Sequence, residues 1–339
     1  MKNKILILIA LFLVCLHANG FAQMKKVAQT GMTYLAISLG ARESAMGNAS
    51  VASVRGIQAI FYNPAILAES EGFGLALNSV TWLADTKLYG IGAMYGLGRY
   101  GAFGFDLVYM DYGKIVGTQR VDKSIDPDGF IVTGDLKVED YAIGVAYAYP
   151  VNDRFSFGVK VKLVHEDLGN ATFYRGHSEY DDGISTTEDF SLNHWGFDFG
   201  GFYETGYKDL ALAVAFQNYS GDMKYWAEEF QMPLVLRMGM CMDITKLFMD
   251  ENKEIELNTA VDVLHPIDYT ERVHVGTELV YMKMFAVRAG YKFNYDVENY
   301  SLGVGVKFDF EGYKGSFDYA YTNAEFFDNV NRLTLNFAF

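Results

Sequence analysis

The sequence predicts an all-β fold, a transmembrane antiparallel β-barrel of about fourteen strands preceded by an N-terminal plug. Three observations predict it. Large apolar residues recur at every second position in many short segments. Most of these segments have the length of about ten residues that a tilted strand needs to cross a bilayer. The long connectors between them fall on one side of the predicted barrel.

The amino terminus has the features of a signal peptide. Two lysines precede an apolar run at residues 5–16, and Gly20-Phe21-Ala22 forms a small-x-small cleavage pattern. Because a membrane-spanning helix needs roughly 20 apolar residues, this run is too short to be one. We therefore expect cleavage after Ala22. Lipidation at Cys15 is the less favoured alternative, because no small residue stands just before it.

Composition and charge exclude several classes of protein. The chain has 34 glycines, 5 prolines and 16% aromatic residues, a composition typical of strands and bends. Removing residues 1–22 takes away two lysines and no acids, so the net charge falls from −14 to −16. Nucleic acid is not an expected partner, because its binding requires clustered cations. Only Cys241 remains in the mature chain, which excludes an intramolecular disulfide.

Each predicted strand alternates large apolar residues with small or polar ones. In the segment 101–112, for example, Phe103 and Phe105 face oppositely to Gly104 and Asp106. The same alternation predicts strands near residues 72–83, 87–98, 101–112, 139–149, 154–167, 192–204, 208–219, 232–244, 253–264, 271–282, 284–294, 299–310, 313–322 and 331–339.

The charged residues of these segments share the face that lacks large apolar residues, as Lys160, Asp262 and Arg288 do. A soluble β-protein buries its apolar faces, whereas a membrane barrel turns them to lipid and encloses its charges. The long connectors, roughly 113–138, 168–191 and 220–231, follow the third, fifth and seventh predicted strands. All three then lie on the outer side, which favours a barrel surrounded by the outer-membrane lipid of a Gram-negative-type bacterium.

Residues 23–70 lack sustained alternation and are rich in Gly, Ala, Ser and Met. Within them, Asn63 is expected to cap a helical turn that has Pro64 at its first position. A compact, mostly neutral segment ahead of a polar-lined barrel predicts a plug. The sequence thus divides into a signal peptide (1–22), a plug or hatch (23–70) and a transmembrane β-barrel (71–339).

Several short motifs resemble the PorV/PorQ family of outer-membrane proteins, itself similar to the FadL-type long-chain fatty-acid transporters. The motifs are Gly40-Ala41-Arg42, Ala45-Met46-Gly47, Tyr62-Asn63-Pro64-Ala65, Thr81-Trp82-Leu83-Ala84-Asp85 and Met110-Asp111-Tyr112-Gly113. The resemblance implies a FadL-like barrel of fourteen strands with an N-terminal hatch, in which Arg42, Asn63 and Pro64 are hatch positions. It also implies work in type IX secretion, shuttling cargo with a C-terminal signal domain toward a surface sortase.

The sequence predicts no cofactor, no metal site and no enzymatic activity. The five histidines of the mature chain match no metal-ligand spacing: His165, His177, His194, His265 and His274. The acidic turns at residues 126–129 and 181–183 are open to Ca²⁺ but lack the twelve-residue spacing of a dedicated loop. Ser178 beside His177, or Ser191 near His194, is the only hint of a nucleophile and base, and no nucleophile motif accompanies either pair.

The outer connector at 220–231 is unusually apolar, with Tyr225, Trp226 and Phe230. It is interpreted either as a binding loop for a partner or ligand or as an interfacial anchor. Two functions follow. In the first, the barrel binds exported proteins or secretion components in a type IX-like pathway. In the alternative, it transports hydrophobic small molecules that enter at the outer loops and displace the segment between Arg42 and Asn63.

Overall fold

The computed structural model describes residues 29–174, 185–226, 228–248, 254–325 and 327–339. The predicted signal peptide lies outside these residues. The described part of the chain contains sixteen strands: β1 Glu71–Thr81, β2 Lys87–Leu97, β3 Ala102–Asp111, β4 Ile115–Arg120, β5 Phe130–Leu136, β6 Glu139–Asn152, β7 Phe155–Tyr174, β8 Ser185–Glu204, β9 Ala211–Tyr219, β10 Val235–Asp243, β11 Ile255–Pro266, β12 Arg272–Tyr281, β13 Phe285–Phe293, β14 Glu298–Phe310, β15 Tyr313–Ala324 and β16 Val330–Ala338.

Fourteen of the strands form one closed antiparallel barrel. Each strand pairs with its neighbour along the chain, β3 pairs with β6, and β1 pairs with β16 to close the cylinder. The closing register joins Gly74 to Ala338 and Thr81 to Asn331. The predicted fourteen-stranded barrel is therefore confirmed.

The structure adds strand pairing in two places where the sequence predicted loops. Strands β4 and β5 form a separate two-stranded hairpin within the predicted connector 113–138, and β7 and β8 extend into the predicted connector 168–191. Every residue of β5 is exposed. Periodicity detects strands through one-sided burial, so a hairpin that projects beyond the barrel leaves no alternation to read.

The outward face of the barrel is apolar and the inward face is charged. Phe103 and Val304 are 51% and 54% exposed on the outside, whereas Asp262 and Arg288 are 0% and 1% exposed inside. This is the arrangement of a barrel that meets lipid with its outer surface and encloses its ionic groups.

The two rims differ as predicted. One rim, called the outer rim, carries the connectors that follow β3, β7 and β9; the opposite inner rim has tight turns such as Gly98–Tyr100 and the turn between β14 and β15. The connector after β10 is the exception, because it contains the short helix Thr245–Phe248. Long connectors on one rim agree with the predicted location in the outer membrane of a Gram-negative-type bacterium.

The helices of the described residues are single turns or little more. The short α-helix Ala41–Ala45 and the 3₁₀ turns Thr33–Ala36, Gly56–Phe61 and Pro64–Glu69 precede the barrel. Among the residues that the structure describes, no helix is both long and apolar enough to cross a membrane.

Residues 30–70, called here the N-terminal segment, run along the inside of the barrel from the outer to the inner rim. At the outer rim, Thr30 Oγ1 donates to Asp268 Oδ2 at 2.8 Å, and the Gly31 N–H donates to the Gln231 carbonyl at 3.0 Å. At the inner rim the segment continues into β1 at Glu71. Between these points most of its side chains are buried, and they pack in two apolar clusters against the wall.

Candidate functional site

Arg42 ties the N-terminal segment to the barrel wall through a buried group of charges. Its Nη2 and Nε atoms donate to Glu278 Oε1 and Oε2 at 2.9 and 3.0 Å. Arg288 Nε donates to the same Glu278 Oε2 at 2.6 Å, and Arg288 Nη1 forms an ion pair with Asp318 Oδ1 at 2.8 Å. These four residues, the ion network, compensate one another's charges where water is largely excluded.

Glu43 lies beside the ion network in the helix Ala41–Ala45. Its Oε1 is 3.4 Å from Arg42 Nη1. Burial raises the pKa of the Glu43 carboxyl above its ordinary value, and the positive charge of Arg42 opposes that rise. Burial and the positive charge of Arg42 therefore act on Glu43 in opposite directions.

A second wall carboxylate binds the backbone of the N-terminal segment. Asp262 Oδ2 accepts hydrogen bonds from the Ser50 and Val51 N–H groups at 2.7 and 2.9 Å. Arg332 Nε in turn donates to the Ser38 carbonyl at 2.9 Å. Wall side chains of both charges therefore satisfy buried backbone groups that no helix or strand would otherwise pair.

Asn63 fixes the turn that leads into β1. Its Oδ1 accepts from the Ala65 N–H at 3.1 Å, and Pro64 occupies the first turn of the helix that follows, as the sequence predicted. Its Nδ2 donates to the Val51 carbonyl at 2.9 Å and to the Gly201 carbonyl at 3.3 Å. Asn63 thus joins two parts of the N-terminal segment to strand β8.

Replacing Asn63 with alanine is expected to lower the free energy of unfolding by about 2 kcal/mol, because two buried carbonyls and one N–H group lose their partner. Urea unfolding of the protein in lipid vesicles measures the change. Asn170→Ala is the matched control, since Asn170 is exposed at the outer end of β7. Equal stability of the two variants would contradict the role given to Asn63.

The residues predicted to form a binding loop lie at the outer rim, over the start of the N-terminal segment. The Tyr225 and Phe230 rings stack with centroids 5.4 Å apart, and Tyr225 Oη donates to Glu166 Oε2 at 2.6 Å. Phe230 also lies against Gly31, where an added Cβ would come within 2.3 Å of its ring. Trp226 is 45% exposed. Tyr225 and Phe230 therefore cover the lumen, while Trp226 reaches the surface.

The barrel wall and the N-terminal segment together line a cavity of about 60 Å³. The N-terminal segment supplies its apolar wall, with Leu35, Ile37 and Leu39 among the lining residues. The barrel supplies a charged wall: Asp106, Lys160, Lys162, Asp198 and Arg237. The described part of the lumen thus combines paired charges with a small cavity that has one charged and one apolar side.

The sequence predicted the charged face that lines this cavity but not the cavity itself. Lysine 160 pairs with Asp106 at 2.8 Å and Lys162 with Asp198 at 2.8 Å. These partners come from β3, β7 and β8; β7 pairs directly with β8, and β6 lies between β3 and β7. The sequence showed that charged residues near the strand centres point inward. The spacing of these residues along the sequence did not show which of them pair.

Several of the histidines and serines considered as metal ligands or nucleophiles can be placed in the described structure. Among the described residues no group of three or more His, Cys, Asp or Glu side chains is placed to hold a metal ion. His274 is buried and bonds to the Asn48 carbonyl and to Tyr295. Ser191 and His194 lie three positions apart on β8, and hence on opposite faces. His177, Ser178 and the acidic turn 181–183 lie outside the described residues.

No family model and no curated protein matches the sequence. Solved structures do share the fold. The toluene transporter TbuX of Ralstonia pickettii is 17% identical, with a TM-score of 0.56 over 89% of this chain and 98% of that chain. The CymD monoaromatic hydrocarbon channel is 14% identical, with a TM-score of 0.55 over 91% and 99%. The toluene transporter TodX of Pseudomonas putida is 14% identical, with a TM-score of 0.53 over 88% and 96%.

The protein therefore has the fold of these barrel-shaped transporters and channels. At such low identities the likeness concerns the fold and does not carry their substrates to this chain. The finer resemblance to the PorV/PorQ family stays a prediction.

Proposed function

We propose that the protein is an outer-membrane channel for small hydrophobic molecules, the second of the two functions predicted from the sequence. The carrying observation is the cavity between the barrel wall and the N-terminal segment. The fold shared with hydrocarbon channels supports the same proposal. The type IX-like role predicted first finds no support among these proteins.

In this proposal the N-terminal segment is the plug. A molecule enters between the loop at 220–234 and the start of the segment, where Phe230 covers Gly31. It then occupies the cavity against Leu35 and Ile37. Arg42, Asn63 and Pro64 hold the inner half of the plug in place, so displacement begins at the outer half. Here the contacts to the wall at Thr30 and Gly31 are single hydrogen bonds.

Truncating Phe230 to alanine is expected to raise the rate of toluene entry about fivefold, because closure over the lumen limits access. The measurement is initial uptake of radiolabelled toluene by a toluene-degrading Gram-negative host that lacks its own hydrocarbon channel. Phe248→Ala is the matched control, since Phe248 is 84% exposed on the inner rim.

The uptake assay also tests the proposed function as a whole. Cells with the unaltered chain should take up toluene faster than cells without it. Uptake no faster than in cells that lack the chain, with the barrel present in the outer membrane, would overturn the channel proposal.

A partner-binding role is the second candidate, and the hairpin β4–β5 favours it. The hairpin carries exposed apolar side chains at the outer rim, with Val116 53%, Ile125 71% and Val132 64% exposed. Such a surface is typical of a contact site for another protein. Affinity capture of the full chain from detergent extracts, followed by mass spectrometry, tests this role. Secretion components recovered with the intact chain, and lost when residues 115–136 are replaced by a short turn, would support it.

A further inference from the structure

Arg237 is the charged residue of the cavity wall whose hydrogen bonds are missing. It lies on β10 and lines the cavity. Its Nε and Nη1 atoms are shielded from solvent and have no hydrogen-bond partner among the described residues. Guanidinium nitrogens that are buried without partners are costly, and a planar anion that accepts two parallel hydrogen bonds stabilises them best.

The other charges of the cavity wall are already paired, which leaves Arg237 in excess. Lys160 bonds to Asp106 and Lys162 to Asp198. The cavity wall therefore has three cations and two anions, and within the described structure no ion pair joins Arg237 to an acid. Its surplus charge faces a cavity and not a partner side chain.

Asp262 on the neighbouring strand interacts electrostatically with Arg237 but does not satisfy it. The Asp262 Oδ2 atom accepts from the Ser50 and Val51 N–H groups, and its Oδ1 atom is buried without a hydrogen-bond partner among the described residues, so no hydrogen bond joins Asp262 to Arg237. Several further cations surround the same region, because Arg272 lies between the rings of Tyr269 and Tyr295, 4.1 and 4.0 Å from their centroids, and Lys292 pairs with Glu298. An additional negative charge is thus favourable at this end of the lumen.

The surroundings of Arg237 also limit the shape of what binds there. Its cross-strand neighbours are Ala215 and Leu264, so it has a small residue on one side. The opposite wall is apolar, with Leu35, Ile37 and Phe61. The cavity of about 60 Å³ is smaller than the ~150 Å³ of an apolar cavity that binds benzene. The cavity therefore has room for a charged head group without rearrangement. A ring attached to that head group has to displace side chains of the N-terminal segment.

We propose that this cavity binds the carboxylate of a compact organic acid, with Arg237 as the residue that recognises the charge and the N-terminal segment covering the apolar body. The substrates of the channel then include small amphipathic anions as well as neutral hydrocarbons. This proposal rests on the proposed function and specifies the substrate class of the same site.

Binding of radiolabelled benzoate to the purified full chain in detergent tests the proposal, with benzamide as a neutral ligand of nearly the same shape. Benzoate should bind saturably and at least about tenfold more tightly than benzamide, because only the anion satisfies the guanidinium. Arg237→Gln should weaken benzoate binding about 10- to 100-fold and leave benzamide binding unchanged. Arg237→Lys keeps the charge but not the planar guanidinium group. Its affinity for benzoate should therefore lie between those of the unaltered chain and the Arg237→Gln variant.

Arg99→Gln is the matched control, because Arg99 is exposed in an inner-rim turn and the substitution removes the same charge. It should bind benzoate as the unaltered chain does. Equal affinity for benzoate and benzamide, or equal benzoate binding by the Arg237→Gln and Arg99→Gln variants, would overturn the proposal. Heat-modifiable migration on gels shows that each variant is folded, and Arg237→Lys retains the test if Arg237→Gln does not fold.

Toluene uptake by cells distinguishes the carboxylate proposal from the proposal that the protein is a channel for small hydrophobic molecules. If toluene enters through the unaltered chain but benzoate does not bind, the carboxylate proposal is wrong and the channel proposal stands. If benzoate binds through Arg237 but neither toluene nor benzoate enters cells, the channel proposal is wrong and the carboxylate site stands as a binding site.

Discussion

Replacing Arg288 with methionine is expected to lower the free energy of unfolding by about 3–5 kcal/mol, because breaking a buried ion pair leaves charges without compensation. Arg288 is 1% exposed and joins Glu278 at 2.6 Å to Asp318 at 2.8 Å. Methionine retains much of the side-chain volume but no charge. Glu278 keeps Arg42 as a partner, whereas Asp318 is left facing a low-dielectric interior with Ser316 as its one hydrogen-bond donor among the residues that the structure describes.

Urea unfolding in lipid vesicles measures this loss, with Arg99→Met as the control. Arg99 is exposed and contacts the neighbouring Tyr100, so its replacement should change stability by no more than about 0.5 kcal/mol. A loss for Arg288→Met below that of the control would show that the ion network does not stabilise the barrel.

Replacing Gly290 with leucine is expected to displace the N-terminal segment and convert the closed barrel into a conducting one. An added Cβ at Gly290 would lie 2.0 Å from the Gly47 backbone nitrogen and 2.2 Å from the Met46 carbonyl carbon. Both are backbone atoms, so the segment itself has to move. Because a barrel of this strand number leaves an open lumen when no segment fills it, single-channel conductance in planar bilayers should rise about tenfold or more.

Gly201→Leu is the control for this experiment. Gly201 faces outward on β8, and the nearest atoms to an added Cβ are side chains of Val214 and Phe155 at 3.3 and 3.8 Å. The same substitution therefore adds an apolar side chain on the lipid face and should leave conductance unchanged. A conductance rise that is equal in both variants would mean that the N-terminal segment does not close the lumen.

The sequence alone predicted the barrel because lipid imposes a strong local rule. Every spanning strand must turn an apolar side chain to lipid at every second position. The outward direction of residues such as Phe103, Phe157 and Val304 can therefore be predicted from the local sequence alone. The lengths of the connectors, which can also be read from the sequence, distinguished the outer rim from the inner rim. Asn63 and Pro64 likewise predicted the turn in which they lie, because a capping side chain and a proline influence the backbone within a few residues.

Tertiary structure decided everything that depends on which inward residues meet. Arg42 and Glu278 are 236 positions apart, and the cavity joins the N-terminal segment to strands from β3 to β10. The sequence did not predict the hairpin β4–β5, because every residue of β5 is exposed and the strand has no alternation of apolar and polar residues imposed by burial. Arg237 was one inward cation among many until the closed wall showed which cations had partners. Alternation along a strand fixes the face of a side chain, but the pairing of inward charges is set by strand register, by the order of strands in the closed wall and by the segment that fills the lumen.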